Sequence, residues 1–152
     1  MRYDELEAEI RRLVTGAGDE SLRVFGAETV ERMVRAEDLL TEDELDEDAA
    51  AALAVACDRA RTAGAAELRA LLTRIDDGIL SDGDMDPALL TVVSALEHLT
   101  TYRETGRRDE IYELAIRSIE QVDHQVSAAL DDFLATPEMA AEYERIRRLL
   151  TA

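Results

Sequence analysis

The chain of 152 residues contains no lysine; all 17 of its basic residues are arginine. That absence excludes whole classes of chemistry. A phosphate-binding loop of the GxxxxGK(S/T) type needs its lysine on the phosphates, a pyridoxal enzyme needs a lysine Schiff base, and a kinase needs its strand lysine. Cysteine is nearly absent too: Cys57 stands alone, so no disulfide closes within the chain. Two prolines and seven glycines leave few breaks in the backbone. No apolar run approaches the roughly 20 residues that span a bilayer, which predicts no membrane insertion.

What the chain has instead is acid. Its 35 Asp and Glu residues give a net charge of −18, which argues against nucleic acid as a direct ligand, because phosphate binding draws on clusters of Lys and Arg. Partners are expected to be basic or neutral. A plainer reading stands beside this one: GC-biased codon use removes lysine, and a high-salt proteome accumulates Asp and Glu. The first twenty residues alternate charge with apolar residues and do not open on a hydrophobic signal core. With the lone cysteine, that predicts a cytoplasmic location.

Periodic apolar residues between short turns predict an all-α fold, a single-domain helical bundle of about seven helices over residues 1–152. The first helix is expected from Tyr3 to Val14, with Tyr3, Leu6, Ile10 and Leu13 inward, and the second from Ser21 to Leu40, with Leu22, Phe25, Val30, Met33 and Val34 inward. Thr41 and Glu44 have capping-box spacing, and Leu40 and Leu45 that of a hydrophobic staple, which predicts a third helix opening at Thr41. Its small-residue stretch after Asp48 suits close packing through Leu53, Ala56, Cys57 and Ala60. A fourth helix is expected over Ala65 to Asp77. Asp86 and Pro87 mark the cap and first turn of a fifth, Pro87 to Thr105, whose apolar circumference (Leu89, Leu90, Val92, Val93, Leu96, Leu99) makes it the expected centre. A long helix from Arg108 to Leu134 is predicted from the seam of Ile111, Ala115, Ile119, Val122, Val126, Leu130 and Phe133. Thr136 and Pro137 open the last helix, with Met139, Tyr143, Ile146 and Leu150 inward. Its cations Arg145, Arg147 and Arg148 lie near the C-terminal end, where the helix dipole favours them.

No complete catalytic or metal constellation is present. Asp82, Asp84 and Asp86 have the first three ligand spacings of an EF-hand, but Pro87 stands where glycine is needed and Val93 where the bidentate glutamate belongs. The residues three before His98 and His124 are Ala95 and Gln121, so the Glu-x-x-His pairs of a di-iron bundle are missing. His98 is expected in a hydrogen-bonded packing role beside Ser94, Thr101 and Tyr102, and His124 in solvent. Cys57 lies next to Asp58, a setting that raises a thiol pKa. No cofactor and no catalytic residue are expected.

The densest feature is EDLLTEDELDED, residues 37–48, with eight acids and no base. With the five aspartates between Asp76 and Asp86 it is expected to form a negative face able to steer a basic protein partner. The candidate contact residues are Glu42, Asp43, Glu44, Asp46, Glu47, Asp48, Asp82 and Asp84. The competing view is that acids in a helix's first turns complement its dipole and the rest are merely solvated.

The stretch ETVERMVRAEDLL, followed by MDPALLTVVSALEHL and a helix ending IEQVDHQV, resembles the plan of the YjaG-like bacterial family of unknown function over about residues 28–150. The resemblance implies a small all-helical protein, and related helical families include immunity proteins that accompany secreted toxins. It transfers no functional residue, and the family's aromatic positions are largely unfilled here. The functional expectation is therefore a non-enzymatic acidic binding protein, its sharpest version an immunity- or antitoxin-like inhibitor of a basic partner. A self-associating structural or regulatory scaffold, a homo-oligomer, is the alternative. An enzyme with a carboxylate or histidine site around His98 and Tyr102 comes third.

Overall fold

Apolar residues recur every three to four positions along most of the chain. In the computed structural model, which describes residues 1–37, 44–80, 86–126, 132 and 134–152, they fold into seven α-helices with no named strand among the described residues. These are α1 (Tyr3–Gly16), α2 (Asp19–Ala36), α3 (Glu47–Arg59), α4 (Ala65–Asp77), α5 (Pro87–Thr105), α6 (Arg108–Val126) and α7 (Pro137–Leu150). Their apolar stripes meet in one buried cluster that draws on every helix, from Leu6 and Ile10 of α1 to Ile146 and Leu150 of α7. Each fully buried leucine or isoleucine there stabilises the fold by about 1.5–3 kcal/mol.

Several helix ends follow the local chemistry of the sequence. The Asp86 side chain accepts the Ala88 amide at 3.0 Å ahead of Pro87, and the Thr136 hydroxyl accepts the Met139 amide at 3.3 Å ahead of Pro137. Gly106 closes α5 at φ 71°, a left-handed position that suits glycine. Ala49, Ala52, Ala56 and Ala60 are buried along the small-residue face of α3, which packs on α4 and α2.

Five expectations are corrected. The third helix opens at Glu47, not Thr41: residues 44–46 are non-helical, and the cap is Asp46, whose carboxylate accepts the Ala49 amide at 2.7 Å. Leu45 is drawn instead into an isolated antiparallel bridge with Ile79. The second helix ends at Ala36, with Glu37 already in a turn, and so falls short of the expected Leu40; residues 38–43, Leu40 and Thr41 among them, lie outside the described residues. The sixth helix is described as far as Val126 and does not run on to Leu134: Asp132 and Leu134 are non-helical, and Asp132 accepts the Leu134 amide at 3.1 Å and the N-terminal ammonium of Met1 at 2.6 Å. Leu130 and Phe133 lie outside the described residues. Nor is α5 the sole centre: α6 touches α1, α2, α5 and α7, and α2 touches α3, α5, α6 and α7. Tyr3 and Leu90, expected inward, are exposed.

Candidate functional site

The antiparallel bridge between Leu45 and Ile79 joins two acidic stretches far apart in sequence. The Asp46 amide donates to the Gly78 carbonyl at 2.8 Å, the Leu80 amide donates to the Glu44 carbonyl at 2.7 Å, and the Asp86 amide donates to Glu44 Oε1 at 3.3 Å. Gly78 permits this approach for lack of a side chain: a Cβ there would collide with the Ala49 Cβ and the Asp46 carboxylate. The ends of α3, α4 and α5 are thereby laced into one edge.

Of the predicted contact residues, Glu44 and Asp46 are half-buried and help hold that edge together, whereas Glu47 and Asp48 are exposed. Asp48 takes a two-pronged contact from Arg74 (2.7 and 3.3 Å), and the guanidinium holds its carboxyl below the ordinary value. Glu42, Asp43, Asp82 and Asp84 lie outside the described residues. Asp76 and Asp77 are exposed on the same edge. The Asp76 carboxyl is raised, first by burial and then by the negative charges of Glu97 and Asp77, with Arg69 opposing. Two large apolar side chains also stand out in this part of the fold: Leu80 is 59 % exposed and Leu90 54 %.

The other singled-out groups have local roles. His98 Nδ1 lies 2.8 Å from Glu110 Oε2, linking α5 to α6, so the hydrogen-bonded packing role holds. His124 is exposed. The Cys57 thiol is pushed up to about 11 by burial, with Glu31 and Asp58 adding to it, which suppresses thiolate chemistry near neutral pH. Among the described residues no group of three or more His, Cys, Asp or Glu side chains is arranged to hold a metal ion, and no helix is long and apolar enough to cross a membrane.

A polar network between α2, α6 and α7 was not anticipated from the sequence. Glu142, its side chain 4 % exposed, receives Arg145 through Nε (3.1 Å) and Nη2 (2.6 Å), the Ser118 hydroxyl, and the charge of Arg32 at 3.2 Å. Arg145 also donates to Thr29 Oγ1 at 2.9 Å and lies over the Phe25 ring, 5.6 Å from its centroid. Arg32 donates to Ser118 Oγ at 2.9 Å, and Gln121 Nε2 to the Met33 carbonyl at 2.9 Å. The expected C-terminal arginine cluster is thereby split: Arg145 turns into the fold, while Arg147 and Arg148 remain outside. The signal was present in α7, where Met139, Glu142, Ile146 and Leu149 follow three- and four-residue steps and put a glutamate on the buried stripe.

No family model, curated protein or solved structure matches the chain.

Proposed function

We propose that this is a non-enzymatic binding protein whose acidic edge receives a basic protein partner. The observation that carries the reading is the lacing of residues 44–48 to residues 76–80, which brings two acidic segments onto one edge and holds it in register. Glu47, Asp48, Asp76 and Asp77 supply exposed negative charge, and Arg74 is the cation paired within it. Leu80 and Leu90 supply apolar area that a charged surface alone lacks, and protein interfaces combine such an apolar centre with a polar rim. A negative surface of this kind raises the encounter rate with a cationic partner by about 10- to 1,000-fold at low salt.

An immunity- or antitoxin-like inhibitor is the sharpest form of this function, in line with the YjaG-like resemblance. The test begins with a low-salt pull-down from native lysate, followed by association kinetics on the basic protein released by salt. Glu47→Arg with Asp77→Arg is expected to slow association about tenfold or more while leaving the melting curve in place. Unchanged association kinetics would sink the proposal. Self-association is the second reading, favoured by the exposure of Leu80 and Leu90, and concentration-dependent sedimentation lost in Leu80→Ser/Leu90→Ser would select it.

A further inference from the structure

Glu28, Glu31, Arg32, Arg35 and Ala36 recur at three- and four-residue steps and so form one stripe along α2. Arg145 of α7 and Arg61, just beyond α3, complete the lining of a cleft of about 560 Å³, within the span of small-molecule sites, roughly 300–1,000 Å³. A helix stripe of mixed charge is ordinarily a solvated face. Here part of its lining is withdrawn from water: Arg145 is 16 % exposed and Arg32 26 %, and both share the single buried carboxylate of Glu142. Two guanidiniums thus share one buried carboxylate in a poorly hydrated place.

The other guanidiniums of the lining are paired on the surface. Arg61 pairs with Glu28, and Arg35 pairs with Glu31 at 2.7 Å, so each of these pairs is neutral. Arg145 Nη1 is buried with no hydrogen-bond partner, and Arg32 Nε meets Glu142 without hydrogen-bond geometry. Burial holds the Arg32 guanidinium below its ordinary value, and Arg145 adds to that against the opposing pull of Glu142 and Glu37. Buried cations gain most from a ligand that brings both charge and acceptor oxygens.

We propose that this cleft binds the oxyanion group, carboxylate or phosphate, of a small ligand on the guanidiniums of Arg32, Arg35, Arg61 and Arg145. Glu28 and Glu31 then accept hydrogen bonds from hydroxyl or amino groups elsewhere on that ligand. This site is independent of the acidic edge and of any protein partner. The test is calorimetric titration of the full chain with pyrophosphate and, separately, with citrate. Saturable one-to-one binding supports the site, and the probe that binds more tightly identifies the phosphate or carboxylate form. Arg35→Ala/Arg61→Ala removes the two exposed donors and should weaken binding about tenfold or more, the scale of lost charged hydrogen bonds, with the circular dichroism melt retained. Arg69→Ala, outside the cleft, should leave binding unchanged. Absence of saturable binding by both probes, undiminished affinity in the double variant, or equal loss in Arg69→Ala would overturn the assignment.

Discussion

The acidic edge and the α2–α6–α7 network are both built from charge, yet they use it in opposite ways. At the edge, carboxylates cap helix ends, accept backbone amides or stand in water, so most of them are individually replaceable. In the network a single glutamate sits among Arg32, Arg145 and Ser118 with almost no access to water. The cost of an error scales with desolvation and not with the number of charges. A chain of net charge −18 therefore depends most on one of its least visible acids.

The largest expected effect follows directly. Glu142→Ala strands two half-buried guanidiniums that share this buried carboxylate and should destabilise the protein by about 3 kcal/mol, the lower end of the range for breaking one side of a buried pair. Glu144→Ala, two residues on, removes a surface partner of Arg147 and should stay within about 0.5 kcal/mol. Urea denaturation of both variants measures the contrast. Similar losses in the two would mean that desolvation does not separate the regions.

Gly78→Ala attacks the edge at its tightest point, since the new methyl group meets Ala49 and the Asp46 carboxylate. Forced repacking of this kind costs about 1–3 kcal/mol. The amides of Asp46 and Leu80, which donate across the bridge, should lose hydrogen-exchange protection before those of α6. Unchanged protection would show that the close approach does not hold the edge together.

How these two regions relate to the sequence is instructive. The starts of α5 and α7 were legible because a cap followed by proline is a local signal needing no distant partner. The start of α3 was not. Thr41 and Glu44 match a capping box, but Leu45 pairs with Ile79, more than thirty residues away, and that pairing hands the cap to Asp46. The end of α6 was missed for the converse reason: the apolar steps run on to Phe133, whereas the Asp132 turn, tied to the chain's own N-terminus, is a tertiary event. At the candidate site the density of acid was plain from composition. Which acids serve the backbone and which face solvent depended on the bridge. The buried network was written as a glutamate and an arginine three apart in α7, but its meaning required Arg32, Ser118 and Thr29 from two other helices.

The cap itself gives a smaller effect that sharpens the division of labour among the acids. Asp46→Ala removes the acceptor of the Ala49 amide and should cost about 1 kcal/mol, within the usual span of 0.5–2 for an N-cap. Glu47→Ala, exposed one residue later, should cost less than about 0.5 kcal/mol. Thermal melts at one pH distinguish them, and equal effects would remove Asp46 from its structural role.

The smallest effect is the most specific, because its sign reverses within the edge. The Asp76 carboxyl is raised in the folded protein, so folding favours its protonated form: its contribution is present below the unfolded value and is lost as pH rises through the folded one. Asp76→Asn should therefore stabilise the protein at pH 7, by about 0.3 kcal/mol once solvent screening of this mostly exposed group is allowed for. The gain should fade as pH falls through the raised folded value and be gone below the unfolded value of about 4, where the aspartate is protonated in both states. Asp48 runs the other way. Its hydrogen bond from Arg74 depresses its pKa, so its contribution is present above the unfolded value and is lost as pH falls through the folded value. Asp48→Asn should lower the melting temperature at pH 7 and converge on the wild type in acid. Melting curves of both variants from pH 3 to 7 decide the matter: shifts of the same sign at neutral pH would show that the edge acts as a uniform cloud of charge, with no distinction between crowded and paired acids.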